Sequence, residues 1–342
     1  MMNIVNPKMI LLARESRGWP QQTLSEKIHS NKANLSRLEN GDALASPGLL
    51  EAIADATGYP VHFFYQKGDL IPVNLAYRKR QNVPAKIITP IEAQINIMRM
   101  HAEFLTNLSG RQLPVLPVYE VTAKNTPAAI ASLVRKAWNI NTTVIPNLLQ
   151  LLEEKGILVN TFDFGTERVD SKSIITSNKF PMIFLNASLL GDKQRFSLAY
   201  ELWHLLQSFT TISHERNISH EANEFAAALL MPEKEIRKDF ENDITVALLG
   251  ELKRKWKVSM IALLYRADDL GFVTANQKRY LLQQFNKLKI RRREPQELDV
   301  PAEQPRLIRS ILAACREKIK ANTVEMAALL SLEVSDYLEL YS

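Results

Sequence analysis

The sequence predicts a mostly α-helical chain: an all-α N-terminal unit, a central α+β region with a small sheet, and a helical C-terminal region. Three observations carry that prediction. Apolar residues recur at a spacing of about 3.6 along most of the chain, interrupted by Gly and Pro. Short β-branched or apolar runs cluster between residues 157 and 185, where strands are expected. The 342 residues are 46% hydrophobic, enough to bury a sizeable core in two or three domains.

The elements follow in order. Met9–Arg17 presents one apolar face and is stopped by Gly18. Gln21–Ile28 and Lys32–Glu39 are two further short helices, and Asn40-Gly41 is a turn. Leu49–Thr57 ends at Gly58 and Pro60. Helices this short are marginal alone and must pack together. An irregular basic stretch with Arg78-Lys79-Arg80 leads to a helix from about Ile91 to Ser109. Leu113-Pro114-Val115-Leu116-Pro117 marks a boundary. Ala128–Trp138 and Asn147–Lys155 are helical, with Pro127 suited to a first turn. Ile157–Val159 leading into Phe162, Ser173–Thr176 and Met182–Leu185 read as strands. Helix returns at Lys193–Ser208, His220–Met231, Thr245–Trp256 and Met260–Leu270. Most of the remainder is helical, apart from 293–305. This divides the chain into 1–70, a helical linker over 71–119, 120–275, and a helical region over 276–342.

Net charge is +6, a mild preference for polyanionic partners. It is unevenly spread. Residues 1–70 carry seven basic and seven acidic side chains, so DNA binding there requires a motif rather than bulk charge. Residues 253–293 carry twelve basic and two acidic ones, a net +10, which fits a second nucleic-acid contact or a solvated helical face. A single cysteine, Cys315, excludes an internal disulfide framework and fits a reducing cytoplasm. No apolar run approaches the roughly 20 residues of a membrane span, and the first residues lack the pattern of a signal peptide.

The chemistry-bearing stretch is Tyr200-Glu201-Leu202-Trp203-His204. It has the shape of a His-Glu-x-x-His zinc helix with tyrosine at the first histidine. In that motif two imidazoles on one helix face share a Zn²⁺, and the glutamate is general base to bound water. A phenol with a pKa near 10 is a poor substitute ligand. Trp203 adds bulk beside it. Glu201 and His204, three apart on one face, could alternatively hydrogen-bond each other as ordinary helix residues.

Residues 9–65 resemble the XRE (Cro-type) helix-turn-helix family, through Leu12, Arg14, Gly18, Gln22, Leu24, Ile28, Leu35, Ser36, Leu38, Glu39-Asn40-Gly41, Leu50, Ile53, Ala54 and Phe64. The resemblance implies that Lys32–Glu39 enters the major groove of double-stranded DNA. Lys32, Asn34 and Arg37 would then face bases, Gln21 and Gln22 would hold phosphates, and Asn31 would both cap the reading helix and belong to the DNA-binding set. His29 stands at the usual turn glycine, and Ser30 at an apolar position. Such units usually pair on two half-sites, so a homodimer is expected.

Residues 120–275 resemble the ImmA/IrrE family of zincin-like metallopeptidase domains. The match rests on 162–165, 183–186, 194–199 and above all Glu221-Ala222-Asn223-Glu224-Phe225-Ala226-Ala227-Ala228-Leu229-Leu230-Met231-Pro232. The resemblance assigns position 200 and His204 as zinc ligands, Glu201 as general base and Glu221 as third ligand, with Glu224 competing for that last role. His214 and His220 are weak substitutes. Tyr200 weakens any zinc site, so no cofactor is expected. Phe184, Tyr200 and Trp203 are candidate walls of a sensor pocket for a small molecule or peptide, and the 183–186 strand is a candidate edge for strand addition. The function expected is a cytoplasmic transcription regulator whose protease-like domain senses a ligand or partner. The alternatives are a zinc peptidase that cleaves a repressor, and an antitoxin or scaffold that binds a protein.

Overall fold

A computed structural model describes residues 4–71, 78–79, 83–207 and 216–341. Among them, no helix is long and apolar enough to cross a membrane.

The N-terminal unit is built from strong local signals. Asn6 accepts from the Lys8 amide and Pro7 occupies the first turn of α1 (Pro7–Ser16). α2 (Gln21–Lys27) ends at His29, whose φ of 51° is left-handed, while the Ser30 amide closes onto the Ser25 carbonyl at 2.8 Å. α3 (Lys32–Asn40) stops at Gly41, φ 83°. α4 (Pro47–Thr57) begins two residues before the expected Leu49, because Ser46 caps it and Pro47 fits its first turn. Met9, Leu12, Leu24, Leu35, Leu38, Ile53 and Phe64 form its buried interior.

The linker helix α5 (Ala85–Ser109) runs 25 residues and contains Pro90. The sequence places its start at about Ile91. The helix instead starts six residues earlier, with Pro90 inside its second turn. Gly110 ends it with φ 73°. α1 and the C-terminal α14 (Leu307–Ile319) both pack on α5, which joins the N-terminal unit to the rest.

The sheet has the order β1-β3-β4-β2, formed by β1 (Arg78–Lys79), β2 (Leu158–Phe162), β3 (Val169–Ile175) and β4 (Pro181–Asn186). β4 is parallel to β2 and antiparallel to β3, so it is hydrogen-bonded on both sides. The expected free edge at 183–186 is therefore interior to the sheet. β3 starts four residues before the expected Ser173, because Val169-Asp170-Ser171-Lys172 lacks the apolar alternation that marks a strand. Arg80 lies outside the described residues.

The sheet separates two apolar cores. One joins the N-terminal unit, α5, one sheet face and the C-terminal helices α14, α15 (Thr323–Leu329) and α16 (Val334–Tyr341). The other joins α6 (Pro127–Ala137), α7 (Leu148–Glu154), the opposite sheet face, α8 (Gly191–Leu206) and α9 (Ile218–Leu230). It continues through α11 (Val246–Trp256), α12 (Met260–Asp269) and α13 (Ala275–Lys287), with the one-turn α10 (Glu233–Ile236) between. Gly191 opens α8 where a Cβ would lie 2.3 Å from the Val300 carbonyl oxygen, so only glycine allows that backbone approach.

The basic stretch 253–293 is partly neutralised by folding. Lys253 is fully buried and donates to Asp192 at 2.7 Å and Glu294 at 2.6 Å. Lys255 pairs with Asp239 and Arg293 with Asp299. Lys287, Lys289, Arg291 and Arg292 remain exposed at the end of α13.

Candidate functional site

The outer face of α3 presents exposed Lys32 and Arg37 and half-buried Asn34, with exposed Gln22 beside it on α2. The Asn31 carboxamide accepts from the Asn34 amide at 2.8 Å, so its oxygen is committed to the helix cap. Gln21 is held differently. Its amide donates to Glu39 at 2.8 Å, and Glu39 also takes two bonds from Arg14 at 2.5 and 3.0 Å. That buried pair ties α1 to α3 and α2, which fixes how far the reading helix projects. Gln22 donates to Glu26 at 2.6 Å. The exposed cationic groups of α3 that can meet a phosphate or base edge are those of Lys32 and Arg37, the latter also donating to the Asp42 carbonyl at 3.4 Å.

The second site lies where α8 crosses β3 and β4. Ser171 and Ser173 lie two apart on β3 and share the sheet face of Ile183 and Leu185, their register partners. Both hydroxyls point at α8 and donate to the two Glu201 oxygens, at 2.7 and 2.6 Å. Glu201 is 0% exposed. Burial lowers the Lys172 ammonium pKa to about 8, opposed by the nearby carboxylates of Glu201 and Glu92. The expected contact between Glu201 and His204 gives way to these serines. A general base must reach a substrate proton, and among the described residues this carboxylate hydrogen-bonds only the two strand serines.

His204 stacks edge-on with Tyr200, ring centroids 5.0 Å apart. Its Nε2 is buried without a hydrogen-bond partner among the described residues. Burial lowers its pKa, which Glu201 opposes and Lys172 reinforces. The Tyr200 hydroxyl lies 3.4 Å from the Ser219 hydroxyl on α9.

Glu221 is bound at both oxygens by Arg216, at 2.9 and 2.5 Å, and Arg216 also donates to Gln207 at 3.1 Å. Glu224 accepts from the Ala128 amide at the start of α6. His220 is exposed, and His214 lies outside the described residues. Among the described residues, no three His, Cys, Asp or Glu side chains converge as a metal site requires. The arrangement does not fit a zinc ion: one carboxylate faces an arginine, one faces two serines, and one caps a helix.

The expected pocket walls do not share a space. Phe184 pairs with Lys172 on the sheet face opposite Ile183, and it packs into the first core. Tyr200 and Trp203 belong to the second. Trp203 is fully buried against Phe225, 5.2 Å between rings, so it fills the α8–α9 seam rather than a cleft. The period of two along β4 decides this.

Residues 10–64 match the helix-turn-helix family model, and residues 152–268 match that of the IrrE N-terminal-like domain. The chain carries a helix-turn-helix domain and an IrrE N-terminal-like domain. Over 49 residues it is 41% identical to a competence pilus inhibition repressor of Acinetobacter baylyi (strain ATCC 33305 / BD413 / ADP1), covering 14% of this chain and 44% of the repressor. The helix-turn-helix match spans all of α1 to α4 except the first turn of α1. The IrrE-like match spans β2 to α12 and so includes every residue of the α8–α9 site.

Sequence reasoning missed Ser171, Ser173 and Arg216. A Ser-x-Ser pair in a polar strand carries no signal by itself. Arg216 lies five residues before Glu221 with no helical phase linking them.

Proposed function

We propose that the chain is a DNA-binding transcription regulator of double-stranded operators whose IrrE-like domain is not a working peptidase and serves as a sensor or docking body. The observation that carries the second half is Glu201, closed in by Ser171 and Ser173 with no surface exposed. The first half is supported by the helix-turn-helix match, by the relative named as a repressor, and by the exposed cations of α3. A homodimer on paired half-sites follows from the geometry of such units.

Binding of the full chain to DNA from its own promoter region tests the first half. Arg37→Ala should weaken it by about fivefold or more, about 1–3 kcal/mol for a lost base contact. Unchanged affinity would remove α3 as the reader. Zinc content and peptidase activity test the second half. Stoichiometric zinc with activity that disappears in Glu201→Gln would establish the enzyme instead.

A further inference from the structure

Where the N-terminal unit meets α5, the end of β2 and α16, the chain lines a half-open cavity of about 310 Å³. That is within the range of small-ligand sites. Four separate parts of the sequence form its walls. Tyr59 and Arg17 come from the helix-turn-helix domain and Gln94 from α5. Phe162 closes β2, Asp163 and Phe164 come from the turn after it, and Asp336 and Glu339 from α16.

Its chemistry is specific. The Phe162 and Phe164 ring centres lie 4.6 Å apart and Tyr59 also lines the cavity, so aromatic surface comes from two of the walls. Three carboxylates, Asp163, Asp336 and Glu339, line it together with one guanidinium, an excess of two negative charges. That guanidinium is already engaged. Arg17 donates to the Thr57 carbonyl at 2.7 Å, lies 4.9 Å from the Tyr59 ring centre, and sits 3.6 Å from Asp336. Asp163 and Glu339 are exposed and make no ion pair among the described residues. Aromatic faces together with uncompensated carboxylates attract a cation that carries an apolar body.

We infer that this junction cavity binds a small organic ammonium ion with a short apolar or aromatic body. Such a ligand touches the DNA-reading domain and the IrrE-like body at once, so its binding fixes one orientation of the former on the latter. This deepens the sensor reading and rests on it only for the consequence at DNA. Binding itself does not depend on it.

The test uses the full chain and benzyltrimethylammonium as probe in titration calorimetry, with benzyl alcohol and benzoate as neutral and anionic comparators. The ammonium should bind, benzyl alcohol at least tenfold more weakly, and benzoate not measurably. The double variant Asp163→Asn, Glu339→Gln keeps the Arg17–Asp336 pair and the turn after β2, and should lose at least tenfold in affinity. Gln94→Trp should fill the cavity and abolish binding. If the ammonium does not bind, if benzyl alcohol binds as tightly, or if both variants bind like the parent, the site is wrong. Promoter DNA binding is read separately. A chain that binds DNA but not the ammonium removes this site alone. One that binds the ammonium but not DNA removes the regulator alone.

Discussion

The α3 face and the α8–α9 site are built in opposite ways. On α3, the devices that begin and end the helix are local: Asn31 caps it, His29 and Ser30 close the turn before it, and Gly41 ends it. The side chains left over point to solvent. On α8, the side chains that define the motif are buried, and their partners come from far along the chain. Glu201 is held by residues 28 and 30 positions away, and Tyr200 meets Ser219 across the seam. A surface built from local devices keeps its chemistry free for a ligand. A buried motif answered by distant residues has its chemistry used up internally.

The strongest way to break that comparison is Glu201→Ala. If the glutamate is a structural acceptor compensating Lys172, its loss should cost about 3–5 kcal/mol, as for other buried charges stripped of a partner. Urea unfolding measures it. A change under about 1 kcal/mol would mean the carboxylate is free for other work.

The pH dependence of stability probes the same site. The His204 pKa is lowered from 6.5 by burial. The unfolded chain therefore binds the proton first as pH falls, so this contribution is present above about 6.5 and is lost as pH drops through 6.5 toward the folded value. His204→Phe should flatten that part of the unfolding curve. An imidazole that titrates at or above 6.5 by NMR would contradict the buried, neutral assignment.

Asn31→Ala separates cap from contact. Loss of the cap should destabilise by about 0.5–2 kcal/mol, read as a lower melting temperature. An unchanged melting temperature with lost DNA affinity would make Asn31 a reader instead.

Arg216→Ala should cost about 1 kcal/mol or less, because the pair is partly exposed and screened. No stoichiometric zinc is expected in the variant, since Glu201 and Glu224 stay committed elsewhere. Zinc uptake measured in the variant and absent from the parent would show that the arginine alone closes a metal site.

The smallest effect has the opposite sign. His29 holds a φ that costs a non-glycine residue about 1–2 kcal/mol. His29→Gly should relieve it, offset by glycine's greater chain entropy, for a net gain of under about 1 kcal/mol. A loss would assign the His29 side chain a contact of its own.

The helices from α1 to α4 could be read almost directly from the sequence, because caps, stops and apolar spacing are short-range. The α8 and α9 helices were equally readable, to within a few residues. The polar strand β3 was not, since its Ser and Lys side chains are buried by what packs over them. Nor was the placing of Phe184, which depends on strand register rather than on composition.

By itself, the sequence determined a helix-turn-helix reader, an IrrE-like body and a protease-type motif with tyrosine in its first position. Each of these is a pattern of neighbours along the chain. Only the tertiary structure decided what the motif faces. Two serines meet its one carboxylate, an arginine and a helix start meet the two carboxylates of α9, and an open cavity lies where the N-terminal unit meets α5 and α16. Hydrogen bonds and ion pairs form between groups brought together in space, and nothing in the local order of residues 200–204 fixes which groups those are.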